Sequence, residues 1–259
     1  MTREPSRTPP PEEVLPTLDL AAHLRDPSIK QRFVTVMFDV IARRYDRFTR
    51  LFSYGMDAGW KRQLIAELAP DTEAAVVVDL ACGTGDLAAT AAERWPSACV
   101  LGFDVSHRMI LHAARRFAAR DRRVSVGVGD MVRLPLLDGS ADVVTVGYGI
   151  RNAPTPGSAL AEIARVLRPG GLVLVLDFYR PRQPLWRALF LWYLRVAGNV
   201  VGWVWHGTPV AYGYLGPSVG GYLTTGEFEL ALETHGFAVQ RSRRKMFGGV
   251  ALHVAARCE

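Results

Sequence analysis

Residues 76–88 read VVVDLACGTGDLA, and this stretch decides the fold. The short apolar run Val76-Val77-Val78-Asp79-Leu80 has the composition of a buried strand. Gly83-Thr84-Gly85 follows as a tight turn, and Asp86 opens an alanine-rich helical run. A strand that feeds a helix through glycines brings backbone amides close to a ligand, and glycine takes that curvature without a Cβ in the way. The spacing Gly83-x-Gly85-x-x-Ala88, with the acid Asp104 about 20 residues on, satisfies the relaxed dinucleotide fingerprint. By itself the loop specifies a nucleotide-like cofactor and leaves its identity to other residues.

Outward from this loop, strand and helix patterns alternate. Cys99 to Asp104 is a second strand, followed by a helix whose Met109, Ala113 and Phe117 share a face. Val124 to Val128 is a third strand, ending in Gly129-Asp130, and Asp142 to Gly147 a fourth. Thr155 caps a helix with Pro156 in its first turn, and Leu160, Ile163, Ala164 and Leu167 form its apolar stripe. Pro169-Gly170-Gly171 stops that helix, and Leu172 to Phe178 is a fifth strand. Thr225 to His235 reads as a last helix, with strands at Phe237 to Ser242 and Gly249 to Ala256. The rhythm predicts an α/β fold: a doubly wound, mostly parallel, seven-stranded Rossmann-like sheet with right-handed crossovers. Ligand should lie beyond the carboxyl ends of the strands.

Ahead of the loop, Asp26 to about Ala69 reads as helical, with Phe33, Met37 and Ile41 four apart. Tyr45-Asp46 closes the first helix and Trp60-Lys61-Arg62 begins a second, which makes a lid over the site or a packing layer. Between Pro184 and Tyr222 the rhythm breaks. Leu185 to Trp205 is long enough to span a bilayer, yet Arg187, Arg195 and Asn199 interrupt it. It reads as a hydrophobic cap over an apolar substrate pocket, an interfacial helix touching membrane, or a core helix. The expected layout is a disordered tail at 1–25 and a single domain at 26–259. Within it lie lid helices (26–70), a cofactor-binding core (71–180), a substrate cap (181–224) and a C-terminal helix with strands (225–259).

With 49% hydrophobic residues the chain fills a core, which excludes global disorder. The net charge of +6 is spread through scattered arginines, with short clusters at Arg115-Arg116, Arg120 to Arg123 and Arg241 to Lys245. That pattern reads as solvated faces, and no nucleic-acid partner is expected. Three cysteines, Cys82, Cys99 and Cys258, form neither a CxxC pair nor a metal spacing. With no apolar leader-like segment at the proline-rich start, this implies a reducing cytoplasm.

Signals at successive strand ends narrow the cofactor. Asp104 at the second strand end suits both hydroxyls of a ribose. Asp130, just past the third, suits an adenine amino group. No basic residue near the loop answers a pyrophosphate. The set favours S-adenosylmethionine over NAD, with Asp79 or Asp86 placed to meet the ammonium of its methionine part. An NAD-dependent oxidoreductase, the rival class, also lacks a Tyr-x-x-x-Lys or His/Asp catalytic set here.

On these residues the chain resembles class I S-adenosylmethionine-dependent methyltransferases, and more narrowly the family that C-methylates quinone precursors in menaquinone and ubiquinone biosynthesis. MFDVIARRYDRFTRLFSYGMDAGWKR (Met37 to Arg62) is similar to that family's N-terminal signature, and DLACGTGDLA (Asp79 to Ala88) to its cofactor loop. GYGIRNAPTPGSALAEIARVLRPGGLVLVLDF (Gly147 to Phe178) resembles its more specific Gly-Ile-Arg-Asn and Arg-Val-Leu-x-Pro-Gly-Gly stretch, and GGVALH (Gly248 to His253) its C-terminal strand. The resemblance implies cofactor contacts at Thr84, Asp104, Asp130 and Met131. Gly147 stands where the family has a serine. Tyr45, Asp79, Gly83, Gly85 and Val105 complete the expected cofactor set. The family's Tyr-x-Tyr-Leu-x-x-Ser survives as Tyr212, Tyr214, Leu215 and Ser218, but the chain departs from the pattern at 219–226. That leaves a specialised-metabolite acceptor as the alternative to a quinol.

The implied reaction is C-methylation of a reduced quinone ring, most simply demethylmenaquinol to menaquinol, or of a ubiquinone precursor. No metal is expected, because a methyl on a sulfonium is already activated. Arg151 is always protonated and suits a developing phenolate rather than a base. Tyr148, Tyr212, His206 and His253 are the proton-transfer candidates. The expected partner is a hydrophobic isoprenoid hydroquinone, with peripheral contact at the inner face of the membrane; the oligomeric state, monomer or homodimer, stays open.

Overall fold

The structure is a computed structural model, and it describes residues 9–19, 22, 26–118, 123–206 and 210–259. Helices α1 (Pro27–Ile41), α2 (Tyr45–Phe52) and α3 (Asp57–Ala66) lead into β1 (Val76–Leu80). There follow α4 (Asp86–Arg94), β2 (Cys99–Asp104), α5 (His107–Ala118), β3 (Val124–Val128) and β4 (Ala141–Gly147). Next come α6 (Pro156–Val166), β5 (Leu167–Phe178) and the long α7 (Pro184–His206). A helical turn at Val210–Gly213, α8 (Leu215–Gly220), α9 (Thr225–Thr234), β6 (Phe237–Lys245) and β7 (Val250–Arg257) complete the chain.

The strands form one seven-stranded sheet of order β3-β2-β1-β4-β5-β7-β6. β1 to β5 run parallel, and β7 runs antiparallel to both β5 and β6. The order reverses between β2-β1 and β4, so a crevice opens at the carboxyl ends of β1 and β4. Alternation along the strands feeds two cores. Val78, Leu80, Val144, Val146, Val173 and Val175 face α6 and α9, whereas Val77, Val143, Leu174 and Leu176 face α3 and α4. A third cluster lies outside the sheet and joins α1 and α2 to α7 through Phe33, Met37, Phe48, Phe190, Leu194 and Tyr212.

Three boundaries differ from expectation. The helical stretch before β1 is three helices, because the 3-10 turn Ala42–Arg44 breaks α1 and makes Tyr45 the start of α2 rather than an end. β5 begins at Leu167, which pairs with Ala141; the ladder then bulges outward through Arg168-Pro169-Gly170, with Gly170 at φ 73°, and resumes at Val143 opposite Leu172. The expected tail is ordered in part. Pro11–Val14 and Leu15–Thr17 form helical turns, and Leu15 is fully buried beside Phe33 and Met37, an apolar contact that fixes this segment. Residues 1–8, 20, 21 and 23–25 lie outside the described residues.

Candidate active site

Two cavities open at the carboxyl ends of the central strands. The first collects Ala81 and Gly83 from the loop after β1, and Asp104 and Val105 from the end of β2. Asp130 and Met131 after β3, Gly147 at the end of β4, and Gln31 and Val34 of α1 close it. The second is walled by Met37, Ile41, Phe48, Phe52, Phe178, Tyr212 and Leu215, with Arg151, Tyr214, Thr49 and Ser53 among its polar residues. Phe38, Tyr45 and Tyr148 belong to both, so the cavities share a wall. Open mouths included, the space free of atoms is about 530 Å³ on the first side and about 570 Å³ on the second.

In the first cavity, Asp104 Oδ2 accepts from the Gly83 amide at 2.9 Å and Oδ1 from the Ser106 amide at 2.8 Å. Burial nevertheless pushes its pKa up to about 6. A carboxylate offers roughly four lone-pair sites, so both oxygens keep capacity for a vicinal diol. Asp130 Oδ2 accepts from Gln31 Nε2 at 2.6 Å and Oδ1 from the Val132 amide at 3.1 Å. Gln31 was not legible as a site residue: it sits 99 positions from Asp130 and carries no motif.

The fit to S-adenosylmethionine rests on this donor and acceptor set. Two buried or half-buried carboxylates stand at the ends of neighbouring strands, and a glycine-lined wall between them lets the backbone approach. Tyr45, Gly83, Asp104, Val105, Asp130, Met131 and Gly147 all line this side. Four expected residues do not. Thr84 is buried against α2 rather than lining this cavity, and donates to Asp46 Oδ1 at 2.6 Å, tying the loop to that helix. Gly85 (φ 85°) lines neither cavity; a Cβ there would lie 2.5 Å from Phe117 Cε2, so its role is close helix packing. Asp79 is buried under the loop, accepts from Thr145 Oγ1 at 2.8 Å, and has its pKa pushed up to about 7 by burial. Asp86 is paired with Lys61 at 3.4 Å and with Arg116.

At the shared wall, Tyr148 has φ 58°, a left-handed conformation that costs a non-glycine residue about 1–3 kcal/mol. Its amide donates to the Leu176 carbonyl at 2.6 Å, which holds the turn in place. The next residue, Gly149, passes so close to Ala81 that a Cβ would sit 2.7 Å from that methyl. The strain thus keeps the Tyr148 ring between the cavities, packed against Phe178 at 5.1 Å. Burial, with the Asp57 carboxylate beside it, raises the Tyr148 pKa. Tyr45 is raised in the same way, by burial and then by Asp57 and Asp104.

Arg151 is 3% exposed and forms the polar corner of the second cavity. Its Nη1 donates to the Tyr214 hydroxyl at 2.8 Å and to Ser218 Oγ at 2.5 Å. Its Nε lies 3.7 Å from Asp177 Oδ1, and Lys30 Nζ donates to its carbonyl at 2.9 Å. The Tyr214 hydroxyl in turn donates to Asn152 Oδ1. Tyr214 and Ser218 come from the Tyr-x-Tyr-Leu-x-x-Ser stretch, whose place beside Arg151 was visible in the sequence only as proximity to the acceptor. None of the departing stretch 219–226 lines the second cavity; its Val219 is buried in the cluster that packs Tyr212, Tyr214 and Leu215 against α1 and α7.

The remaining candidates part ways. Tyr212 lines the second cavity and stacks on Phe48 at 3.9 Å. His253 is not brought to the site. It lies in β7, 1% exposed, with Nδ1 3.2 Å from the Tyr179 hydroxyl and Nε2 3.5 Å from Glu229. The side chain of His206, at the end of α7, is outside the described residues.

Comparison with known proteins agrees with this geometry. The model of the ubiE/COQ5 methyltransferase family matches residues 27–257. The chain is 37% identical over 222 residues to the ubiquinone/menaquinone biosynthesis C-methyltransferase UbiE of Syntrophotalea carbinolica, covering 85% of this chain and 92% of that one. It is 37% identical over 221 residues to the demethylmenaquinone methyltransferase of Thermus thermophilus, covering 85% and 100%. Among solved structures, phosphoethanolamine N-methyltransferase 2 of Haemonchus contortus, solved with S-adenosyl-L-methionine, is similar in fold, with a TM-score of 0.59 at 14% identity over 78% of this chain and 53% of that one.

Proposed function

The chain belongs to the ubiE/COQ5 methyltransferase family, and from that membership we propose that it C-methylates the ring of a reduced isoprenoid quinone, demethylmenaquinol to menaquinol. The observation that carries the reading is the wall of Phe38, Tyr45 and Tyr148, which joins a cavity bearing Asp104 and Asp130 to an apolar one bearing Arg151. S-adenosylmethionine, when bound, supplies a methyl group already activated by its sulfonium. Asp104 would hold its ribose and Asp130 its adenine amino group.

In the second cavity, apolar walls exclude water and hold a flat ring, and orientation of this kind is worth roughly 7–11 kcal/mol of barrier. A hydroquinone carbon is most nucleophilic when a neighbouring hydroxyl is ionised. Lys30 and Arg151 set two cations against the single Asp177 carboxylate, so the corner offers net positive potential to a phenolate. Tyr214, fixed between Arg151 and Asn152, offers its remaining lone pair as a hydrogen-bond acceptor that would orient the acceptor's hydroxyl beside Arg151. The hydroxyl proton would pass to water at the cavity mouth. As the new bond to the methyl carbon forms, that carbon's bond to sulfur would break. The ring carbon's hydrogen would then leave as a proton to water at the cavity mouth, restoring the aromatic ring.

An acceptor with an isoprenoid tail resides in lipid, so the reading places a cytoplasmic protein in peripheral contact with the inner face of the membrane. Mass spectrometry of products from a panel of isoprenoid hydroquinones, with isotopically labelled cofactor, tests it. One labelled methyl on the ring is expected, and a panel without labelled product would sink the assignment.

A further inference from the structure

The long helix α7 has two faces, and only one is used. Phe190 and Leu194 are fully buried against the α1–α2 cluster, behind Tyr212 and Leu215 of the acceptor cavity. The opposite face carries Leu185, Leu189, Trp192, Val196, Val200 and Trp203, spaced three and four apart and therefore in line. Trp192 is 61% exposed and Trp203 63%. The helix is long and apolar enough to cross a bilayer, but its buried face is part of the fold, so it lies along a surface.

The surroundings choose the occupant. From Phe178 to Gly226 the chain contains no Asp or Glu, while Arg182 and Arg195 are exposed on or beside α7. Arg44 donates to the Trp205 carbonyl, which sets the exposed Arg43-Arg44 pair at the far end of the helix. A two-fold pairing of copies through this face would turn the same basic rim upon itself. A negatively charged surface meets it with opposite charge, and tryptophans suit the boundary between headgroups and acyl chains.

The face also runs to the cavity mouth. Tyr193 of α7 donates to the Phe52 carbonyl at 3.2 Å and stacks with the exposed Tyr54 at 6.2 Å, beside Phe52 and Ser53 of the cavity wall. We propose that the outer face of α7, with Tyr54 and the arginine rim, is a docking surface for anionic phospholipid bilayers that sets the acceptor cavity against the membrane. The lipid contact stands on the helix alone; its orientation toward the acceptor rests on the methyl-transfer reading.

The full-length protein is floated with phosphatidylcholine vesicles, with and without phosphatidylglycerol. Flotation is expected only with the anionic vesicles, and the W192E/W203E variant should reduce it by about tenfold or more. The variant's circular dichroism and its turnover of a short-tailed, water-soluble hydroquinone should match the parent, since neither tryptophan lines a cavity. No flotation, flotation indifferent to W192E/W203E, or a dimer in sedimentation that this variant dissolves would each overturn the proposal. Flotation lost in W192E/W203E, with no hydroquinone methylated by the parent, keeps the docking surface and removes the acceptor assignment.

Discussion

The Arg151 guanidinium donates to the Tyr214 hydroxyl at 2.8 Å across 63 residues of chain, inside a corner where Arg151 is already engaged by Asp177 and Ser218. A buried phenol held by a cation on one side and an amide oxygen on the other is a fixed hydrogen-bonding group rather than a passing contact. Its oxygen is also one of the few polar groups in an apolar cavity.

Tyr214→Phe keeps the ring packing and removes the oxygen. Turnover at saturating acceptor should fall by about 10- to 100-fold, the worth of one hydrogen bond to an ionising hydroxyl at about 1.5–3 kcal/mol. Affinity for S-adenosylmethionine, measured by calorimetry, should stay unchanged because Tyr214 does not line the first cavity. Parental turnover in the variant would remove Tyr214 from the chemistry.

Asp104→Ala should weaken S-adenosylmethionine binding by about 10- to 100-fold, the worth of one or two charge-assisted hydrogen bonds at 1.5–3 kcal/mol in total. Calorimetry on the purified protein reads this directly. Unchanged affinity would mean that the ribose lies elsewhere.

Binding and turnover should respond to pH with opposite signs. With its pKa raised to about 6, Asp104 is ionised above that value and protonated below it, so cofactor affinity should drop about tenfold between pH 7 and pH 5. Burial, aided by Arg151, lowers Lys30 to about 8. Raising the pH through 8 discharges Lys30 and thins the positive potential around Arg151, so kcat should decline there. Lys30→Met should abolish that alkaline limb; a limb that survives assigns it to another group.

His253→Gln should leave kcat intact while changing stability. Burial depresses the folded pKa of His253 to about 4, against about 6.5 in the unfolded chain. The stability tied to the neutral ring is complete above pH 6.5 and lost as pH falls toward 4, on the order of 3 kcal/mol. Denaturant midpoints across that window should therefore be flatter in the variant than in the parent. A collapse of kcat in folded His253→Gln would restore it as a candidate for catalysis.

Much of the fold could be read from the chain because it depends on local and periodic properties. The alternation in Val76 to Leu80 and Val143 to Val146 settles which side chains face each core, and the glycines after Cys82 have a backbone reason to be there. The break at Ala42–Arg44 and the bulge at Arg168-Pro169-Gly170 escaped, since each is settled by packing and pairing rather than by composition.

The sequence by itself determined a doubly wound sheet with two acids at successive strand ends, and so the kind of cofactor the chain holds. Those features follow from strand period, glycine conformation and the fixed position of a residue at a strand terminus. Only the tertiary structure decided which neighbours of the loop serve it. Thr84 turns to Asp46 and Asp79 to Thr145, whereas Gln31, from 99 residues away, reaches Asp130. The direction of a side chain in a turn, and its meeting with a partner from a distant helix, depend on how the layers pack, and that packing has no local signature.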